Sequence, residues 1–426
     1  MTTIWFIIRR AARPWMAWGA VPVTAAALLG AVTTMSAQNT GSEGPSVLLS
    51  VELPDRPTAG AQLFAEKQCI RCHSLADTDD RVGPDLGRIL FEGSVVDLAG
   101  DFWNHSPVMR EKMQDLKIKP AMITPSEMAN LVAFLTAYRY YLTSLGDPGN
   151  PVVGEQIFRE KRCAQCHEQS GGSLTQLGPD LARYRGGASA LFLAQAMWNH
   201  GAEMGRAMAN LGAAWPTFRD TEMGDLLAYL RAGAVGAGLD PVYFEPGSPR
   251  RGRDIFFGKS CSTCHAIGGR GGRGGPDLGS GGTEFVHSVA EIAGLMWNHS
   301  PAMTAEFQRR GIERVTFSGQ EMVDIIAYLY FVNYAVVEGT PTRGAVLFLD
   351  KCGACHSVGS GYRVGPDLST VEGLDGPLAV IAAMWNHGAS MEQELQDRGL
   401  PWPRFERGQA ADIIAFLLAN RKPVEQ

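Results

Sequence analysis

Apolar side chains recur at three- and four-residue spacing in four separate stretches: EMANLVAFLTAYRYY (127–141), EMGDLLAYLRAG (222–233), EMVDIIAYLYFVNY (321–334) and ADIIAFLLAN (411–420). That period marks a helix packed on one face. Some sixty residues ahead of each lies a shorter amphipathic stretch: GAQLFAEK (60–67), GEQIFREK (154–161), GRDIFFGK (252–259) and GAVLFLDK (344–351). Strand signals are weak throughout, so the pattern predicts an all-α chain. The uncharged run from Pro14 to Val32, behind Arg9, Arg10 and Arg13, is of another kind. Its nineteen residues are enough for one membrane crossing and also suit a long signal peptide. The arginines on its N-terminal side predict a cytoplasmic N-terminus and a chain exported beyond it.

The helical stretches belong to a larger repeat, which takes precedence in assigning the fold. All eight cysteines fall in CIRCH (69–73), CAQCH (163–167), CSTCH (261–265) and CGACH (352–356), starting at intervals of 94, 98 and 91 residues. A GPDL sequence follows each, beginning at Gly83, Gly178, Gly275 and Gly365. Next come FWNHSPVM (102–109), MWNHGAEM (197–204), MWNHSPAM (296–303) and MWNHGASM (384–391), then the long apolar helix. Pro/Gly-rich joints set the expected organisation: a signal peptide or anchor at 1–37, a tether at 38–57, and four units at 58–147, 148–240, 246–337 and 338–426. The glycine-rich stretch 267–282 has no strand before it and no Gly-Lys-Ser/Thr ending, so it does not read as a phosphate-binding loop.

Composition changes this picture little. The 50 glycines fit short elements joined by many turns, and 45% hydrophobic residues is ordinary for a globular chain. A net charge of −6 lacks the basic footprint of a nucleic-acid binder.

The repeated Cys-x-x-Cys-His carries the chemistry. Two thiols one turn apart can add across the two vinyl groups of a haem, and the next residue brings an imidazole under the iron. Structural zinc would need four ligands per site. A redox dithiol has no use for a following histidine four times over. Disulfides within such short pairs would close only tiny loops. Covalent haem is the expected cofactor at Cys69 and Cys72, Cys163 and Cys166, Cys261 and Cys264, and Cys352 and Cys355, four haem c in all. The iron ligands on this side are His73, His167, His265 and His356.

Each unit resembles a small class I c-type cytochrome domain, with an N-terminal helix, CxxCH, a Gly-Pro loop, a distal methionine and a C-terminal helix crossing the first. The resemblance implies that Pro84, Pro179, Pro276 and Pro366 offer their carbonyls to the proximal histidines. Such a bond orients the ligand and raises its basicity.

The distal ligand lies within WNHxxxM. Of sixteen methionines, only Met109, Met204, Met303 and Met391 occupy one position in every unit. Met128, Met223 and Met322 give way to Ala410 in the fourth, and Met122 corresponds to Thr217, Thr316 and Arg404. His105, His200, His299 and His387 are the rival ligands, four residues before each methionine. In two copies proline follows His-Ser, which predicts a helix break separating histidine from methionine. The resemblance favours methionine, with Trp103, Trp198, Trp297, Trp385 and the four histidines lining the haem edge. It implies an electron-transfer protein rather than an enzyme, working between a redox donor and acceptor, and the N-terminal segment places that work at the outer face of the cytoplasmic membrane. Alternatives are a subunit docked on a respiratory or photosynthetic membrane complex, and a haem enzyme with one open site.

Overall fold

The structure is a computed structural model that describes residues 44–51, 53, 56–75, 82–87, 94–146, 149–167, 177–181, 189–233, 246–279, 288–359, 361 and 363–422. The segment 1–37, expected as signal peptide or anchor, lies outside the described residues, as does His287. Among the described residues no helix is long and apolar enough to cross a membrane.

Twelve helices form four sets of three among the described residues. The first set is α1 (Pro57–Glu66), α2 (Val95–Asp115) and α3 (Pro125–Gly146); the second is α4 (Pro151–Glu160), α5 (Ala190–Asn210) and α6 (Glu222–Ala232). The third is α7 (Pro249–Gly258), α8 (Val289–Arg310) and α9 (Gly319–Ala335); the fourth is α10 (Pro341–Lys351), α11 (Pro377–Asp397) and α12 (Gln409–Ala419). Each set opens with proline in the first helical turn, where its missing N–H costs nothing. Capping boxes at Ser94–Asp97 and Ser288–Glu291 start α2 and α8.

One crossing recurs four times. The glycine in the first turns of α1, α4, α7 and α10 (Gly60, Gly154, Gly252, Gly344) lies against the carbonyl of Asn130, Asp225, Asp324 or Asp412 on the last helix of its set, leaving no room for a Cβ. Four residues on, an aromatic ring from each partner closes the contact. The pairs are Phe64–Phe134 at 5.9 Å, Phe158–Tyr229 at 5.4 Å, Phe256–Tyr328 at 5.8 Å and Phe348–Phe416 at 5.4 Å. Three of the crossings are also tied by carboxylates. Asp225, Asp324 and Asp412 accept the backbone N–H of Asn150, Ser248 and Thr340 at 2.7, 2.8 and 2.7 Å, just ahead of the short helices.

The sets pair out of chain order. Helix α2 packs on α11 and α12, and α3 on α11, joining the first set to the fourth. Helix α5 packs on α8 and α9, and α6 on α8, joining the second to the third. Contacts of α2 and α3 with α9 link the two pairs, and one apolar core runs through all four sets.

The stretch 38–57 was expected as a free tether, but part of it is built into the fold. Strand β1 (Val47–Ser50) pairs antiparallel with a strand at Val336–Gly339, the chain leading into the fourth set. Leu49 faces Val337 in that register, and both are buried, so alternate apolar positions hold the ribbon down. A two-residue hairpin, Ala266–Ile267 against Arg270–Gly271, is the other strand pair among the described residues.

Replacing Gly252 by alanine forces α7 away from α9. The expected loss is about 1–3 kcal/mol in denaturant unfolding, and an unchanged midpoint would show that the helices have room to separate.

Candidate functional site

The attachment sites sit where the short helices end. Gln68, Arg162 and Ser260 take left-handed backbone angles (φ 64°, 62° and 62°), turning the chain out of helix just before the first cysteine. A tight turn follows in every set, and the histidine N–H donates to the first cysteine's carbonyl at 2.8–2.9 Å. The second cysteine's carbonyl accepts the N–H of Gly83, Gly178, Gly275 or Gly365 at 2.8–3.0 Å, which clamps the GPDL loop over the turn.

That clamp delivers the prolines. His73, His167 and His265 each place Nδ1 3.0 Å from the carbonyl of Pro84, Pro179 or Pro276, and His356 lies 3.2 Å from that of Pro366. A carbonyl only accepts, so Nδ1 carries the hydrogen and Nε2 keeps its lone pair, the form a metal ligand needs. Burial holds the His73 imidazole below its ordinary pKa; the Pro84 carbonyl works against this, and the charge of His105 adds to it. His105 therefore stands within electrostatic reach of His73.

All eight cysteines are free and part-buried. Burial pushes Cys69, Cys163 and Cys261 up to about 11 and Cys352 to about 12, so these thiols stay protonated at neutral pH. Adding S–H across a vinyl group uses that hydrogen. Among the described residues no three His, Cys, Asp or Glu side chains converge as a metal cluster. Paired thiols, the first of each held protonated, and an oriented imidazole fit a covalently held haem.

The loop aspartates complete the scaffold. Asp277 accepts the N–H groups of Gly268, Gly269 and Gly279, and Asp367 those of Gly359, Gly361 and Ser369. Three amides of the glycine-rich stretch thus face this chain's own carboxylate, and those of Gly272 and Gly275 face the carbonyls of Ser262 and Cys264.

The WNH motifs lie in the middle of α2, α5, α8 and α11, and the helix is continuous through all four. The expected break after His-Ser does not occur: Pro107 and Pro301 lie inside α2 and α8. Each proline frees the carbonyl four residues back, that of Trp103 or Trp297. Ser106 Oγ donates to the Trp103 carbonyl at 2.8 Å, and Trp402 Nε1 reaches it at 3.3 Å; Trp215 Nε1 reaches the Trp297 carbonyl at 3.3 Å. With the freed acceptors satisfied, the helix carries its proline. Histidine and methionine therefore share one face of one helix, four residues apart. His200, His299 and His387 tie Nδ1 to the carbonyl one turn back at 2.8–2.9 Å, which again leaves Nε2 with the lone pair. Met204, Met303 and Met391 are part-buried against the core, whereas Met128, Met223 and Met322 are buried within it.

The tryptophans, expected along a haem edge, spend their N–H groups elsewhere. Trp103, Trp198, Trp297 and Trp385 donate at 2.7–2.8 Å to the carbonyls of Pro403, Val315, Pro216 and Ala121, each in the paired set. The following asparagine completes a clasp. Asn104 bonds both the N–H and the carbonyl of Phe405, Asn199 those of Phe317, Asn298 those of Phe218 and Asn386 those of Ile123, at 2.7–2.9 Å. The clasps are reciprocal: the first and fourth sets grip each other, as do the second and third.

The two partners of a pair differ. Trp402 and Trp215, both in Gly-Ala sets, stack on Trp103 and Trp297 of Ser-Pro sets at 4.2 and 4.1 Å. Ser106 and Ser300 are 2% exposed, and opposite them the Gly-Ala helices carry Gly388 and Gly201, both buried. Sequence reasoning missed Trp215, Trp402 and the asparagines. The signal available was the alternation of Ser-Pro with Gly-Ala along the four motifs.

Helical sets that pass from a crossed first helix through a CxxCH turn to a Gly-Pro-supported histidine define a c-type cytochrome. A model of the cytochrome c family matches residues 57–138, 152–234 and 249–330, more than half of the chain, and the chain belongs to that family. These are tandem c-type cytochrome domains, which implies haem c held by the cysteine pairs and electron transfer with redox partners. No curated protein matches the chain.

Two outcomes test this geometry. Asn199→Leu leaves the buried Phe317 amide without a partner, while its carbonyl keeps Gln195 Nε2 at 2.9 Å, an expected loss on the order of 1–3 kcal/mol. Limited proteolysis should open the pair of the second and third sets at the same time. The Asp367 carboxyl is held down to about 2 by the Gly359 N–H, the Ser369 hydroxyl and the N–H groups of Ser369 and Gly361, all of which it accepts. Being depressed in the folded protein, it stabilises the 357–369 loop at pH above the ordinary carboxylate value, and this is lost as pH falls toward 2. Amide exchange of the loop should rise over that acid window in the wild type, and Asp367→Asn should abolish the dependence.

Proposed function

We propose that the chain is a four-haem electron relay, with domains at 58–147, 148–240, 246–337 and 338–426, working on the periplasmic side of the cytoplasmic membrane. The observation that carries the count is the fourth set, beyond the family match. Helices α10 and α12 cross at Gly344 as in the other three sets, and His356 meets the Pro366 carbonyl. The location rests on the basic and apolar N-terminal segment, which suits an anchor or a leader. Electrons pass from a redox donor to an acceptor, and the chain serves either alone or as the cytochrome subunit of a membrane complex.

Bound haem supplies a one-electron iron couple whose potential follows its ligands and surroundings. The chain's own residues do the rest. Two cysteines per set tether the group, and the Gly-Pro loop aims the imidazole. Met109, Met204, Met303 and Met391 supply the sixth ligand in this reading, each one turn from a histidine on a helix pinned by its clasp. Thioether ligation places the potentials above those of a bis-imidazole site.

Haem counting on the purified holoprotein should give four per chain, and Cys352→Ala with Cys355→Ala should give three. Met204→Leu should remove about a quarter of the near-infrared sulfur-to-iron band, while His200→Phe should leave it intact. A band of unchanged strength in Met204→Leu would make histidine the ligand at that site.

A further inference from the structure

Each domain pair holds one arginine where its WNH helices meet, and the two arginines come from different places in the repeat. In the first–fourth pair it is Arg110, the residue after Met109. In the second–third pair it is Arg314, three residues before Phe317 in the loop ahead of α9. The positions are exchanged: the residue after Met303 is Thr304, and three residues before Ile123, the counterpart of Phe317, stands Pro120. Arg314 Nη1 bonds Thr304 Oγ1 at 2.6 Å, so the guanidinium sits on the residue that occupies the Arg110 position in its own repeat.

Both guanidiniums lie beside the glycine of the Gly-Ala helix. A Cβ on Gly388 would stand 2.7 Å from Arg110 Nη1, and one on Gly201 3.5 Å from Arg314 Nη2. Both lie over a tryptophan, Arg110 at 4.9 Å from the Trp402 ring and Arg314 at 4.1 Å from that of Trp198.

Neither charge is fully answered by the protein. Arg110 is 4% exposed; its Nε meets Glu392, the residue after Met391, at 2.5 Å, while its buried Nη1 and Nη2 make no hydrogen bond. Among the described residues Arg314 bonds neutral acceptors alone, Thr304 Oγ1, Ser300 Oγ and the Trp198 carbonyl, and its buried Nε bonds none of them. Arg110 is buried and Arg314 half-buried; a cation so placed with incomplete partners costs stability, and an apolar side chain would pack the same crossing at lower cost. That one chain keeps the charge at both crossings, from two attachment points, argues that the charge is used there.

We propose that this guanidinium sets the redox level of its domain pair, holding the reduced iron favoured in both partners. Its contacts run to both distal motifs. Arg110 follows Met109 and bonds the neighbour of Met391, and Arg314 bonds the neighbour of Met303 and the Trp198 carbonyl two residues before His200. In a poorly screened interior a fixed positive charge disfavours the oxidised, more positive iron. Arg314, with no carboxylate on it, exerts the larger effect. The assignment rests on the four-haem reading above.

Spectroelectrochemical titration of the full-length holoprotein tests it. Arg314→Gln, which keeps hydrogen-bond donors and removes the charge, should lower two of the four midpoint potentials and leave the other two in place. Arg314→Lys should stay near the wild type. The double variant Thr304→Arg with Arg314→Pro, which moves the arginine to the Arg110 position with Gly205 where the first–fourth pair has Glu392, should keep the second–third pair high. Four unshifted midpoints in Arg314→Gln, or an equal fall in Arg314→Lys, would overturn the proposal. If Arg314→Gln does not fold, a lowered pair in the double variant would overturn it as well. Fewer than four one-electron components in the wild type would overturn the four-haem reading, a separate result.

Discussion

An asparagine amide is short and planar, with a donor and an acceptor side by side, so it can answer both the N–H and the C=O of a single residue. Four asparagines do this across domain boundaries, to Phe405, Phe317, Phe218 and Ile123. The bonded residues all lie in the loop that leads into a terminal helix, where the backbone has no ladder of its own. Without the amide the buried N–H groups of those residues would lose their partner. The clasp therefore does two jobs. It finishes the loop of one domain, and it anchors the mid-point of the other domain's helix, the segment that carries the candidate distal ligands.

Reciprocity gives each pair an approximate two-fold relation, and the side chains then break it. Proline in α2 and α8 opens a backbone carbonyl toward the partner, and a tryptophan from the partner fills it. Glycine in α5 and α11 opens space instead, and a guanidinium fills that. A Ser-Pro helix facing another Ser-Pro helix would offer two carbonyls and neither tryptophan. The chain alternates the two types along its length, and the pairs observed each join one of each. Pairing of the first domain with the fourth encloses the inner pair between the ends of the chain. The β1 ribbon against Val336–Gly339 reinforces that closure.

Much of the single domain was legible before any coordinates. Helical spacing located the terminal helices, and the CxxCH and Gly-Pro elements named the groups that meet around each proximal imidazole. The distal motif was read only in part. Its tryptophan looked like pocket lining, because a repeated motif beside a repeated cofactor invites that reading, and its asparagine carried no signal of a role. Their partners lie some 80 to 300 positions away in the chain, where no periodicity reaches. The helix break expected at His-Ser-Pro failed for a related reason. The steric rule for the residue before proline is local, but the acceptors that the proline releases are satisfied by Trp402 and Trp215 from another domain.

The sequence by itself determined the chemistry and the unit. Cysteine spacing, the following histidine and the helix periods act within a few residues, so local stereochemistry is enough to express them. Only the tertiary structure decided which unit meets which, why the motifs alternate, and where Arg110 and Arg314 put their charge. Those are choices between surfaces distant in the chain, set by hydrogen bonds and clearances that exist only once the surfaces are brought together.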